Sequence, residues 1–301
     1  MGPPDAGSED VACPACGAVG EWYDGYCGTC GAKRPDPRDH TEQERAGVAA
    51  VSDKGRRHAK NEDSYAVVVG EGFVVAVVCD GVSTTVVPEQ ASQAAADAAA
   101  AVLAAGAPSQ ADFDAAFDAA RSAVLAVEFQ PHADLGPPSC TYLAAVVTGS
   151  SVRLSAFGDC RAYWVAPSGE VEQLTVDDSW ATHQIAAGMA PAQAYTDNRA
   201  HAITRWLGAD ADPEWRPAAV ELPPRGPGRL LLVSDGVWNY AAEPHQLAAV
   251  LRAGPERERP LELARRLVEF ANAQGGADNI TAVVVDLPLQ PGDAARPPEA
   301  P

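Results

Sequence analysis

Two stretches far apart in the chain share one pattern, an unbroken apolar run that stops on Asp-Gly: FVVAVVCDG at residues 73–81 and RLLLVSDG at 229–236. Each run is short and rich in aliphatic residues, so each predicts a buried strand. The Asp-Gly end admits two readings, a hairpin turn or a strand tip that presents a carboxylate. Between the two runs, residues 88–107 are almost all helix formers, with Pro88 suited to a first turn and Gly106 to a stop. Residues 110–129 set Phe113, Phe117, Ala120 and Val124 at helical spacing, which predicts a second helix that uses them for packing. From residue 139 the pattern changes to short strands, CTYLAAVVTG, SVRLSAFGD, RAYWVAP and EVEQLT, whose close spacing predicts antiparallel neighbours. Residues 179–200 read as short helices in an irregular insert, residues 243–253 and 260–273 as amphipathic helices, and NITAVVVDL as a last strand. Runs of strands and runs of helices, without strict alternation, predict an α+β fold.

The N-terminal end breaks this pattern. Cys13, Cys16, Cys27 and Cys30 form two C-x-x-C pairs, each followed by glycine. Four thiolates on two such knuckles suit one tetrahedral Zn2+, and with no open position the ion would be structural; redox chemistry is the weaker alternative. Residues 1–32 therefore read as a zinc ribbon that folds on its metal and serves as a protein docking module. Residues 33–45, charged and proline-containing, read as a linker, 46–287 as the main domain and 288–301 as a disordered tail. Cys79, Cys140 and Cys160 sit singly in strand-like stretches and read as reduced, buried thiols, and Trp206 and Trp238 as packing residues.

Charge and length narrow the partners. A chain of 301 residues has room for one large domain and a small module. The net charge of −19 argues against nucleic acid, since basic residues gather only at Arg56, Arg57, His58 and Lys60. No apolar run reaches the roughly 20 residues of a membrane helix, and the N-terminus lacks the basic and apolar regions of a signal peptide. The expectation is a cytoplasmic protein without membrane association. Neither a phosphate-binding glycine loop of the G-x-x-x-x-G-K-[ST] type nor a G-x-S-x-G elbow occurs.

Carboxylates recur where the strands end. Asp80 and Asp235 close the two apolar runs, Asp159 follows LSAFG, Asp278 precedes NITAVVV, and Glu62-Asp63 lies in the loop before SYAVV. Any one alone reads as a turn or cap residue. Brought together without basic partners they would repel, and their pKa values would rise unless a divalent cation neutralised them. The ordered blocks GRRHAKNEDS, VVCDGVS, CTYLAAVV, AFGDCRAYWV, QLTVDDS, LLLVSDGVW and GGADNITAVVV resemble those of the metal-dependent serine/threonine protein phosphatases of type 2C, in their bacterial form. The resemblance spans residues 46–287.

That resemblance implies a four-layer α-β-β-α sandwich with two central antiparallel sheets and two to three Mn2+ or Mg2+ ions at one end. It implies that Asp80 bridges two ions, that the Gly81 carbonyl ligates one, and that Asp235 and Asp278 hold the other. Asp159 joins Asp235 at a weaker third position. Glu62 and Asp63 orient metal-held waters, with Glu62 also a candidate direct ligand. The implied activity is hydrolysis of phosphoserine and phosphothreonine, in proteins modified by a serine/threonine kinase, through attack of a metal-bridging hydroxide. The alternative is a catalytically weak, phosphatase-like binding or regulatory protein. Two positions depart from the family pattern. His58 stands where an arginine grips the substrate phosphate, leaving His58 and Arg57 as the candidate phosphate contacts. Val82 stands where eukaryotic relatives carry a histidine proposed as proton donor, so protonation of the leaving group falls to metal-bound water.

Overall fold

The computed structural model describes residues 12–20, 22–105, 110–149, 151–222, 226–255 and 258–288. Why the apolar runs are unbroken is visible in the strand Phe73–Cys79. Its Val74, Ala76 and Val78 point into a core between two sheets, while Val75, Val77 and Cys79 point into a second core under helices. The strand Ile280–Leu287 does the same, with Val283, Val285 and Leu287 between the sheets and Ala282 and Val284 on the outer side. A strand buried on both faces needs no polar alternation.

One sheet has six strands, in the order Val171–Gln173, Arg161–Val165, Gly228–Val233, Ile280–Leu287, Val48–Asp53 and His40–Arg45. The other has five, in the order Ala218–Leu222, Ser151–Phe157, Tyr142–Thr148, Phe73–Cys79 and Ser64–Gly70. Every strand pair within them is antiparallel. The helices Pro88–Leu103 and Gln110–Leu125 cover the five-stranded sheet, where Ala91, Ala95 and Ala99 allow close approach and Phe113 and Phe117 fill the gap behind. The helices Pro244–Arg252 and Pro260–Ala273 cover the six-stranded sheet through Leu247, Leu263 and Leu267. The result is the expected α-β-β-α sandwich.

Two sequence expectations change. Residues 40–45 are not linker: His40–Arg45 pairs with Val48–Asp53 over its whole length, from His40 opposite Asp53 to Arg45 opposite Val48. This strand is mostly polar because it is an edge, and charged side chains on an edge deter pairing with other chains. Arg38 just before it is also anchored, donating to Gln93 Oε1 at 2.9 Å, Ser64 Oγ at 3.0 Å and the Glu89 carbonyl at 3.2 Å. The second helix ends at Leu125, not 129. Gly106 and the tail from residue 289 lie outside the described residues. In the N-terminal segment, Trp22–Tyr23 and Tyr26–Cys27 form a two-stranded hairpin between the cysteine pairs.

Candidate active site

Neither Asp-Gly makes a hairpin. Asp80 follows the strand Phe73–Cys79 on the way to the helix at Pro88, and Asp235 opens the short helix Asp235–Trp238 after the strand Gly228–Val233. Asp278 lies two residues before Ile280–Leu287, Asp63 precedes Ser64–Gly70, and Asp159 lies between Ser151–Phe157 and Arg161–Val165. Antiparallel pairing brings these ends to one edge of the sandwich, so carboxylates up to 216 positions apart, as Glu62 and Asp278 are, become neighbours.

Hydrogen bonds fix the backbone that carries them. Asp80 N–H donates to Thr141 Oγ1 at 2.9 Å, and Thr141 N–H donates to the Asp80 carbonyl at 2.8 Å. Ser234 Oγ donates to Asp63 Oδ2 at 2.7 Å and accepts from Thr281 N–H at 2.9 Å. Asn279 binds three segments: its Oδ1 accepts from Glu62 N–H at 2.8 Å, and its Nδ2 donates to the Lys54 and Lys60 carbonyls at 2.8 and 2.9 Å. The two glycines serve this closeness. A Cβ on Gly81 would stand 2.7 Å from the Glu62 carbonyl, and one on Gly236 would collide with the carbonyl of Asn279. Glycine thus lets one carboxylate-bearing segment touch the next.

The electrostatics are those of crowded acids. Asp80 is pushed well above the usual carboxylate range, first by burial and then by Asp63, Asp235, Asp159 and Asp278. Asp235 is pushed well above it by burial, with Asp159, Asp278 and Asp63 adding to the effect. Burial carries Asp63 to about 6, against the pull of hydrogen bonds from Ser234 and Thr281. Asp159 rises to about 7 through burial and the Asp177 carboxylate, with Arg161 opposing. Asp63 Oδ1 and Asp235 Oδ1 are buried with no hydrogen-bond partner. Unpartnered, buried carboxylate oxygens turned toward other carboxylates are what a divalent cation would satisfy, and hard oxygen donors suit Mn2+ and Mg2+. The donor set therefore fits such ions.

Below the acids lies a support that the sequence reading did not single out. Arg161 donates to both carboxylate oxygens of Asp177, at 2.7 to 3.1 Å, and its guanidinium stacks 3.7 Å from the Trp238 ring centroid. Trp238 Nε1 in turn donates to the Asp159 carbonyl at 2.9 Å. Thr141, Arg161, Ser234 and Asn279 all lie within the motif blocks, and membership of those blocks was the only sequence signal for them. Of the candidate phosphate contacts, Arg57 is exposed, while His58 turns into the acidic cluster: Nε2 is 3.2 Å from Asp278 Oδ1 and Nδ1 is 3.9 Å from Glu62 Oε2. Arg56 is occupied elsewhere, with Nε donating to the Asn272 carbonyl at 2.9 Å. Ser83 Oγ donates to Glu62 Oε2. Cys79, Cys140 and Cys160 are buried free thiols, as expected.

The second constellation is the cysteine cluster. The Cys13 and Cys30 sulfurs are 3.7 Å apart and those of Cys16 and Cys27 are 3.9 Å apart. A tetrahedron with Zn–S bonds of about 2.3 Å has edges of about 3.8 Å, so these four sulfurs fit zinc. The backbone N–H groups of Cys30 and Thr29 lower Cys27 to about 6, which favours the thiolate. Among the described residues, only these sulfurs form a set of three or more donors lying within 4.8 Å of one another. The carboxylates enclose a wider space.

Comparison with known proteins agrees with this geometry. A family model described as protein phosphatase 2C matches residues 53–272. The serine/threonine protein phosphatase PstP of Mycobacterium tuberculosis is 32% identical over 243 residues, which cover 79% of this chain and 44% of that protein. The chain thus spans about half the length of the curated relatives it matches. The crystal structure of the M. tuberculosis phosphatase superposes with a TM-score of 0.64 at 31% identity, covering 80% of this chain and 97% of that one. The catalytic domain of PstP in complex with two manganese ions gives a TM-score of 0.63 at 32% identity, covering 79% and 96%. Staphylococcus aureus Stp1, at 23% identity and a TM-score of 0.69 over 81% of this chain and 96% of that one, shares the fold.

Proposed function

The chain belongs to the protein phosphatase 2C family, and from that premise we propose that it is a Mn2+- or Mg2+-dependent protein phosphatase acting on phosphoserine and phosphothreonine. One observation carries the reading: strand tips deliver Asp80, Asp235, Asp278, Asp159 and Asp63 to one edge of the sandwich, with buried oxygens of Asp63 and Asp235 unpartnered. Asp80 and the Gly81 carbonyl, with Asp235 and Asp278, are the proposed ligands of the two principal ions, and Asp159 with Asp235 those of a weaker third. Glu62 and Asp63 orient the waters around them. When bound, the cations lower the pKa of coordinated water and neutralise charge that builds on the phosphoryl oxygens. The chain's own part is placement: Thr141 and Asn279 hold the segments carrying Asp80 and Glu62, and Ser234 holds Asp63. Arg57, exposed on the same loop, is the proposed contact for the substrate phosphate.

The substrates follow from the chemistry, since a serine/threonine kinase must first make the esters that this site cleaves. The four-sulfur module is proposed to hold Zn2+ and to dock a protein partner. Free, buried thiols in the main domain support a reducing, cytoplasmic setting. No helix among the described residues is long and apolar enough to cross a membrane.

The test is hydrolysis of p-nitrophenyl phosphate and of a phosphothreonine peptide with Mn2+, with and without chelator. Asp80→Asn and Asp235→Asn should each lower kcat/KM by about 10^3-fold, the scale of losing one preorganised electrostatic element of a site, with circular dichroism unchanged. Turnover that survives both substitutions and chelation would refute the reading; absence of turnover in the Mn2+-loaded wild type would favour the binding protein instead.

A further inference from the structure

Deepening the proposed function and resting on it, we propose that His58 is itself a ligand of the ion held by Asp278, which gives this site a nitrogen donor and a preference for Mn2+ over Mg2+. The placement is specific. Asp278 Oδ1 is held by the Asn279 N–H at 2.8 Å, and His58 Nε2 stands 3.2 Å from that same oxygen. Two donors at right angles on an octahedral ion with bonds of about 2.1 Å are about 3 Å apart, so the pair already has the separation of adjacent ligands. The other ring nitrogen, Nδ1, faces Glu62 Oε2 at 3.9 Å, and that oxygen is fixed by the Ser83 hydroxyl. A ligating histidine commonly turns its second nitrogen to a carboxylate, which sets the tautomer and orients the ring. His58 has such a carboxylate within a small side-chain adjustment. The imidazole is three-quarters buried, with 24% of the side chain exposed, in a cluster where Asp63 is 2% exposed and its Oδ1 unpartnered.

The consequence is metal selectivity. Imidazole suits transition metals, whereas Mg2+ favours carboxylate, carbonyl and water oxygens. A site with only oxygen donors would separate Mn2+ from Mg2+ less sharply.

The experiment loads the purified protein with Mn2+ and records electron spin echo modulation, which detects a coordinated imidazole nitrogen directly. The wild type should show nitrogen modulation that disappears in His58→Gln. In His58→Ala the Kd for Mn2+ should rise about 10-fold, the scale on which even an outer partner of a metal site is felt, and the Kd for Mg2+ should rise by a smaller factor. Bound Mn2+ without nitrogen modulation in the wild type would overturn the assignment and leave the phosphatase reading intact. So would nitrogen modulation that persists in His58→Gln. Failure of the wild type to bind Mn2+ at all would remove both.

Discussion

The chain assembles its two proposed ion-binding constellations by opposite routes. The cysteine module takes its four donors from residues 13–30 and draws the sulfurs within 4.8 Å of one another, around little more than a hairpin and the buried Trp22. The acidic site takes its donors from residues 62–278, leaves them spread, and rests on two sheets and three apolar cores. On the proposed reading, the metal makes the structure in the first, and the structure makes the metal site in the second. A local knuckle cannot bury enough surface to fold alone, so a bound ion would carry the folding free energy. The sandwich folds on its cores and tolerates acid crowding as a cost that cations offset when bound.

The comparison breaks most visibly if both sites respond alike to losing their ions. Chelation of zinc, or Cys27→Ser, should unfold the N-terminal module outright, since structural zinc sites supply on the order of 10 kcal/mol. The resonance of the Trp22 indole should lose its dispersion in NMR spectra, while the thermal transition of the main domain stays in place. A main domain that melts together with the module would show that the two are one cooperative unit.

A second strain on the contrast is to weaken the support under the acids without touching any proposed ligand. Arg161→Met leaves Asp177 buried without its cation, because both side chains of the pair are less than 10% exposed. Breaking such a pair costs about 3–5 kcal/mol, which urea unfolding would register in the main domain and not in the module. A change below about 1 kcal/mol would mean that Trp238 and the strand pairing carry the support alone.

How much of this was legible follows the same division. The cysteine module was readable because its donors are close in sequence and its spacing states its geometry. In the sandwich, the two-faced burial of Phe73–Cys79 and Ile280–Leu287 explains why apolar runs were sufficient to find the central strands. The edge strand His40–Arg45 escaped because an edge is polar by design and its pattern is that of a linker. The carboxylates stood out as strand ends, but their convergence rested on the resemblance, since nothing in one sequence states which strand ends meet. Thr141, Ser234 and Asn279 were invisible for a related reason: they act through a few hydrogen bonds to backbone or carboxylate, and a Ser, Thr or Asn in a loop carries no periodicity. Gly81 and Gly236 bring neighbouring backbones together, at Glu62 and Asn279 respectively, a closeness that the Asp-Gly pattern by itself does not state.

A subtler difference lies in the response to pH once ions are removed. Asp63 and Asp159 have folded values of about 6 and about 7, above the ordinary 3.8. The folded state then binds protons more tightly than the unfolded chain does. Their contribution to stability is fully present below the unfolded value and is lost as pH rises through 6 to 7. In chelator the main domain should therefore lose on the order of 2 kcal/mol between about pH 5 and pH 8, and saturating Mn2+ should flatten that slope. The cysteine module should run the other way, gaining zinc affinity as thiols ionise with rising pH. Parallel slopes in the two regions would contradict the assignment of desolvated acids to one and thiolates to the other.

The smallest effect is the sharpest test of which partner organises the acidic site. Thr141 Oγ1 accepts the Asp80 N–H at 2.9 Å and lies 3.2 Å from Cys160 Sγ, at a position that is 2% exposed. Thr141→Val keeps the shape and deletes the acceptor, leaving the Asp80 amide unsatisfied at a cost of about 1–2 kcal/mol. If hydrogen bonds of the fold set the position of Asp80, Mn2+ affinity measured by titration should fall several-fold, about what 1 kcal/mol gives at room temperature. If instead the ions pull the carboxylates into place, as zinc is proposed to do for the sulfurs, the variant should lose stability in chelator yet bind Mn2+ as tightly as the wild type. The first outcome keeps the two constellations distinct in kind, and the second makes them differ only in the chemistry of their donors.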